Sequence, residues 1–425
     1  MKLNLHLFDL NVQTTTKNST GNDLSPEMKT YYEKRLLDAA EPNLVHEQFG
    51  DKYPIPAHGG KTIEFRRYSA LPKALTPLTE GVTPDGSNLN VETVTGTVSQ
   101  YGDYVTISDV LELTAIDRNI EQATKLLGSS AGRTLDTVVR EVLMTGTNVM
   151  YAPKVSGSTV TPVTARADLD STAQLTLETI FKAVAALKAQ NAAPIDDSFV
   201  AIVHPNVACD LMLSDKWLDV HKYAVPENIY RGEIGKLAGV RFVESTEAKI
   251  IAPSFGAGLA NYTLKTALDG TGSTTIAVNE AISSAEATAI TAAIAAGRNT
   301  IYVGGKLATL SAVTAGAAGS ATFTTTAAVK SVSKGAVVCG GGAASDGSSV
   351  YATLVIGANA YGVTDVEGGG LQHLVKQLGS GGTADPLSQR ATTGWKSLLT
   401  AEILSQPYMI RVEHGCATAP TAAAN

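Results

Sequence analysis

The residues best suited to chemistry are seven histidines: His6, His46, His58, His204, His221, His373 and His414. None stands four residues from another, and no His-Glu-x-x-His string occurs, so the spacing that seats a metal ion on one helix face is missing. His204 precedes Pro205 and reads as a helix-opening residue, while His221 lies near Trp217 and Tyr223 and reads as packing. The adjacent acids Asp196 and Asp197 point to opposite sides of a strand or turn, which rules against shared acid–base work. Gly232-Glu-Ile-Gly-Lys236 superficially resembles a phosphate loop, but its spacing is wrong and Leu237 replaces the required hydroxyl, so it reads as a tight turn. Cys209, Cys339 and Cys416 are odd in number and far apart, which excludes a disulfide scaffold and a Cys-x-x-Cys site. Cys209, in an apolar helical stretch, reads as a small core residue. The expectation is no catalytic residue, no metal, no cofactor and no enzyme.

Composition narrows the remaining classes. The 425 residues are 44% apolar and only 17% charged, with a net charge of −7. A soluble chain averages about 25% charged residues. This balance argues against a basic nucleic-acid binder and for a chain that buries much of its surface, including against copies of itself. No apolar run approaches the ~18 residues needed to span a membrane.

The elements follow from periodicity. Met1–Leu10 alternates leucines with polar residues and lacks a cleavage site, so Met1–Leu24 reads as an extended arm or a disordered tail rather than a signal peptide. Ser25-Pro26-Glu27 opens a helix. From Lys61 the period is two, in KTIEFRRY and again in LNVETVTGTVSQYGDYVTISDVL, with a Pro- and Gly-rich excursion between them. Two long strands with a distant tip make an extended hairpin that would be marginal alone and makes sense against a neighbouring subunit. On this arm Arg66, Arg67 and Lys73 face Glu80, Asp85 and Glu92 in sign, which reads either as inter-subunit ion pairing or as a solvated β face.

Ile116–Met144 is the strongest helix, with a stripe of Ile116, Ile120, Ala123, Leu127, Ala131, Leu135, Val138 and Val142, roughly 40 Å long. Gly128 and Gly132 interrupt it and predict a bend or a close contact. Leu175–Gln190 predicts a second helix with Leu177, Ile180, Phe181, Val184 and Leu187 inward. The strand SFVAIVHP, a helix from His204 and the strand KLAGVRFVE complete an α/β unit. Composition then shifts: Ile251–Val350 carries nine charged residues, about half the density elsewhere. It still holds five short strand patterns and the capping box Ser283–Glu286 before an Ala-rich helix, so it reads as a small, mainly β inserted domain. Tyr351–Gly357 and Leu371–Leu378 predict strands, Ser397–Leu404 and Tyr408–Glu413 a pair around Gln406-Pro407, and the residues after Gly415 a frayed tail.

Two strings carry a resemblance. LTPLTEGVTPDG with TVSQYGDYVTISDVLELTAID (Leu75–Asp117), and DPLSQRATTGWKSLLTAEIL with YMIRVEH (Asp385–His414), resemble a family of tailed-phage major capsid proteins. VHPNVACDL, GKLAGVRFVES and YATLVIGANAYGV match the family's middle in character and order. The resemblance implies an α+β chain with the capsid fold shared by tailed phages and herpesviruses. Residues 1–50 would be the N-terminal arm and first helix, and 51–108 the extended loop. Residues 109–174 and 385–415 would form the peripheral domain with its spine helix, 175–250 and 351–384 the axial domain, and 416–425 a tail.

It further implies pentamers and hexamers closing an icosahedral shell around DNA, in a virion assembled in a bacterial host. Binding to the DNA would not be specific. The partners would be other copies, a separate scaffolding protein, a portal and, as an option, a decoration protein. The 251–350 insertion, main departure from that family, is expected on the outer face, and no Lys–Asn crosslink is expected. Competing readings are an encapsulin-like compartment, a secreted surface-layer or adhesin-like protein, and a cytosolic hydrolase.

Overall fold

A computed structural model of the chain describes residues 44–55, 60–68, 71, 73–75, 77, 80, 86, 88–114, 119–157, 159–214, 235–237, 239–253, 262–295, 299–366, 369–376, 387 and 389–425. The expected arm, the helix from Ser25, Asp85, and the group Trp217, His221 and Tyr223 lie outside the described residues. The fold is α+β, in two compact units: Met1–Val139 with Gly362–Leu404, and Arg140–Tyr361 with Ser405–Asn425.

In the first unit, Thr62–Tyr68 and Val91–Thr97 pair antiparallel from Thr62↔Thr97 to Tyr68↔Val91, a two-stranded ribbon with nothing else in its sheet. The hairpin is shorter than its sequence pattern implies. The ribbon closes where Val98 N–H donates to Lys61 O at 2.9 Å, and Ser99–Ser108 then leaves it to pair along its whole length with Arg390–Leu399. The cause is a one-residue slip in alternation: Gly96 and Val98 are buried on even numbers, Ile107 on an odd one. Gln372–Lys376 completes that three-stranded sheet, and its covered face holds Trp395 and Thr393. A second three-stranded sheet sets Asp51–Ile55 parallel to Tyr361–Val366, with Ala401–Ile403 on the other side.

The long helix is Asn119–Met144. Its buried residues Leu127, Ala131, Leu135, Val139 and Leu143 step by four, so at 3.6 residues per turn the buried face winds around the helix. That drift puts Val139 and Leu143 inward where the sequence stripe predicts Val138 and Val142, which are half-buried. Within the first unit the helix carries Asp136, fully buried, whose carboxylate accepts from His46 N–H and contacts His46 Nδ1, each at 2.6 Å.

The second unit is built on a seven-stranded sheet. Met409–His414 lies between Val149–Tyr151 and Val350–Ile356, followed by Phe199–Val203, Val240–Glu244 and Lys236–Leu237, with Ile250–Ile251 also on Val350–Ile356. Met409–His414 therefore does not pair with the strand before Gln406-Pro407. All six of its residues are buried, which demands a neighbour on each side. Residues 385–415, grouped by the sequence reading, thus divide between the two units.

Helices Leu177–Ala189 and Pro205–Met212 cover this sheet with Ile180, Val184, Leu187, Val207 and Leu211. Thr176 Oγ1 caps the first by accepting from Thr179 N–H, and His204 Nδ1 caps the second by accepting from Asn206 N–H. Phe181 is exposed rather than inward: one residue past Ile180, it sits about 100° off the buried stripe. Cys209 is half-buried rather than core. Buried Glu413 is clamped by Arg166, through Nε at 2.7 Å and Nη2 at 2.5 Å, and by Arg411 Nε at 2.8 Å.

The insertion enters and leaves at paired positions, Ile250↔Tyr351 and Ile251↔Val350. It forms a six-stranded sheet in the order Tyr262–Thr263, Val337–Gly340, Thr300–Val303, Lys306–Thr314, Thr322–Val329, Ser273–Ala277. The Leu264–Val278 bridge and the Lys265 N–H to Ala277 O bond at 2.9 Å join the first strand's end to the last, closing the sheet into a barrel. Leu264, Ile276, Ile301, Leu310, Phe323 and Val338 fill it, with Ile290 from helix Ser284–Ala295. The predicted capping box is present: Glu286 N–H donates to Ser283 Oγ at 3.2 Å and Ser283 N–H to Glu286 Oε2 at 2.7 Å.

Candidate assembly surface

The hairpin has little interior. Among its described residues only Phe65, Gly96 and Val98 are buried. Phe65 meets Tyr53 edge-on at 5.0 Å and lies over Gly362, where a Cβ would come within 2.9 Å of the ring. Gly96 is similarly crowded by Glu402 and Thr400. Beyond that foothold, the described residues between the two strands are all exposed. Leu75 is 83% exposed, and Leu71, Leu89 and Val91 are also exposed. In the same unit Tyr104, Val110, Leu111 and Leu126 are exposed as well.

The six charged residues singled out by sequence separate into classes. Arg67 and Glu92 are register partners and close an ion pair within the chain at 2.8 Å, while Arg67 Nη1 also donates to Leu404 O at 3.0 Å. Arg66, Lys73 and Glu80 are exposed, and Asp85 lies outside the described residues. The Arg67–Glu92 pairing is legible only through the hairpin's register, which the charge pattern alone does not give.

The described histidines are committed to structure. His46 binds Asp136 and His204 caps its helix. His373 Nε2 contacts Thr393 Oγ1 at 2.8 Å, and burial lowers its pKa. His414 donates from Nδ1 to Gly415 O and accepts at Nε2 from Thr353 Oγ1, both at 2.9 Å, and complete burial holds its pKa down at about 4. Burial pushes the Cys339 thiol up to about 12 and the Cys416 thiol to about 11, which keeps both protonated and poorly nucleophilic. Among the described residues no group of three or more His, Cys, Asp or Glu is placed to hold a metal ion, and no helix is long and apolar enough to cross a membrane.

Residues 91–220 match the family model described as phage capsid protein. That stretch runs from the hairpin's return strand through the long helix to the second α/β helix. Among solved structures, a chain of the cyanophage Pam1 capsid asymmetric unit is similar over 96% of this chain and 99% of that one, at 14% identity and a TM-score of 0.50. The capsid of cyanophage P-SCSP1u is similar over 87% of each chain at 12% identity and a TM-score of 0.49. The head of Helicobacter pylori bacteriophage KHP40 covers 86% of this chain and 88% of its own, at 11% identity and a TM-score of 0.49. No curated protein matches the sequence. The fold is that of the Pam1 capsid chain.

Proposed function

We propose that this chain, carrying the phage capsid family pattern over residues 91–220 and a phage capsid fold over nearly its whole length, is the major capsid protein of a tailed phage. The observation that carries the reading is the hairpin: a two-stranded ribbon with three buried described residues and a row of exposed leucines is not self-sufficient. A second copy supplies the missing cover. Repeated around pentamers and hexamers, each subunit lays its extended loop on a neighbour, and many modest interfaces sum to a closed shell. The role is structural rather than enzymatic.

Within that reading residues 51–108 act as the extended loop, the long helix as the spine of the peripheral domain, and the seven-stranded sheet as the axial domain's core. Arg66, Lys73, Glu80 and Asp85 serve as contacts between subunits, and Arg67 and Glu92 join them while also bracing the hairpin. A net charge of −7 suits a container whose inner wall must not grip packaged DNA. The barrel projects from the outer face. A scaffolding protein, a portal and, at the barrel, a decoration protein are the expected partners. Electron microscopy of the purified chain, with and without a scaffolding partner, tests the proposal: closed shells with resolved capsomers are expected, and a monodisperse monomer under every condition would refute it.

A further inference from the structure

The segment after Gly415, expected to fray, is tied down along its length. Asp210 receives Ala417 N–H at 2.7 Å, Thr418 N–H at 3.1 Å and the Thr418 hydroxyl at 2.5 Å. Tyr351, buried, donates its hydroxyl to Ala419 O at 2.9 Å. Ser349, also buried, donates N–H to Pro420 O at 2.7 Å and its hydroxyl to Ala422 O at 2.6 Å. At the far end Asn425 Oδ1 accepts from Ile250 N–H at 2.9 Å, and its Nδ2 donates to Ala248 O at 2.8 Å and Thr246 O at 3.3 Å. Arg140 Nη2 and Lys249 Nζ both donate to Asn425 O, at 3.2 and 3.0 Å.

These contacts fall on both legs of the barrel. Ile250 begins the short strand that leads into it, and Ser349 and Tyr351 flank the start of the strand that leads out. The legs' own ladder is only two residue pairs long, Ile250↔Tyr351 and Ile251↔Val350. A ladder that short has little cooperativity of its own. Without the segment, the buried Ser349 hydroxyl and the Ile250 amide lose their partners. The segment's composition favours such contacts. Its small alanines and threonines let the backbone approach closely, and Pro420, with no N–H to satisfy, offers only the carbonyl that Ser349 uses.

We infer that residues 417–425 are a latch across the root of the barrel: anchored on Asp210, they clamp the outgoing leg through Ser349 and Tyr351 and the incoming leg through Asn425. The latch fixes how the barrel is mounted on the sheet that carries it. This stands on contacts within one compact unit and is independent of whether the chain builds a shell.

Amide hydrogen exchange on the whole chain tests it, comparing the natural sequence with a chain ending at Cys416 and with Asn425→Ala. The truncated chain is expected to exchange at least ten-fold faster over residues 246–251 and 346–351. Asn425→Ala is expected to accelerate residues 246–251 alone. Barrel strand 300–303 and sheet strand 199–203 should hold their rates in both. Legs that keep their natural rates in the truncated chain overturn the latch, as does an equal acceleration of strand 199–203, which would make the segment an ordinary part of the sheet's core. If the truncated chain does not fold, Asn425→Ala decides: unchanged exchange over 246–251 overturns the latch.

Discussion

The molecule makes two β excursions from its sheets, and they solve the burial problem in opposite ways. The barrel closes its sheet on itself and fills the interior with residues such as Leu264, Ile276, Ile301 and Phe323, capped by a helix. The hairpin stays a ribbon of two strands, with one fully buried ring at its foot and exposed leucines beyond. Both are rich in threonine and both alternate with period two, so local pattern does not separate them. Sheet closure does. An excursion with a filled interior is complete in one chain; on the function proposed above, one with so little interior is completed by a neighbouring copy.

The largest expected effect comes from removing each in turn. Tyr68 and Val91 are register partners, so residues 69–90 can be replaced by a short turn. Ile251 and Val350 are likewise partners, so residues 252–349 can be replaced by another. Loss of the hairpin tip is expected to abolish shells while leaving the far-ultraviolet spectrum and melting of the folded chain near those of the natural protein. Loss of the barrel is expected to leave shells forming. The opposite outcome, shells without the tip and none without the barrel, breaks the comparison.

A pair of cavity mutants sharpens it. Phe65 at the hairpin foot and Phe323 in the barrel are both almost completely buried. Each change to alanine should cost about 3–5 kcal/mol. Hydrogen exchange should localise the damage differently. Phe323→Ala should release the barrel strands as a set, because they share one core, whereas Phe65→Ala should free Val91–Thr97 and leave its neighbours protected.

Much of this architecture is legible in the sequence, and the misses share a cause. Period two places the hairpin, the 3.6-residue period places the long helix and the helix Leu177–Ala189, and Ser283–Glu286 marks the start of the barrel's helix. The break at Val98 is a slip of parity, visible only once the partner strand Arg390–Leu399, far along the chain, is known. Sequence proximity pairs Met409–His414 with the strand just before it, but its partners are Val149–Tyr151 and Val350–Ile356. The segment 417–425 looks frayed because alanine and threonine carry no periodic signal, and what holds it are backbone groups and distant side chains such as Asp210. The same holds for the proposed assembly surface: its leucines and charges can be named by position, yet the Arg67–Glu92 closure requires the register.

Acid titration gives a smaller, directional contrast. The sheet that carries the barrel holds His414, neutral and fully buried, with its pKa lowered to about 4 from an ordinary 6.5. A lowered histidine pKa means the unfolded chain binds a proton that the folded one refuses. Stability is therefore full above pH 6.5, falls as pH drops toward 4 and then levels, by roughly 3 kcal/mol in all. The insertion contains no histidine. Its Glu286, held below the usual carboxylate range by the Ser283 N–H and hydroxyl, and its Asp269, held low by the Thr271 hydroxyl and the Gly272 and Thr271 amides, keep their stabilising effect until pH falls below about 4.5. Exchange rates measured from pH 7 to 4.5, corrected for intrinsic chemistry, should rise in Phe199–Val203 before they rise in Thr300–Val303. Simultaneous loss would show that the two cores unfold as one.

The smallest effect is expected at Glu92. Its carboxylate and Arg67 are 53% and 39% exposed, so solvent screens their 2.8 Å pair, and Arg67 keeps its bond to Leu404 O when Glu92 is neutralised. Glu92→Gln should therefore cost the folded chain under ~1 kcal/mol, read as a shift of a degree or two in melting temperature. Assembly is the sensitive readout. The hairpin has little interior, so on the function proposed its charges matter most when a second copy covers it. A variant that melts like the natural chain yet yields fewer shells, with the deficit deepened by Arg66→Ala or Lys73→Ala, assigns these hairpin charges to the contact between subunits. Normal shell yield in all three variants would leave the leucines as the adhesive surface and reduce these charges to solvation.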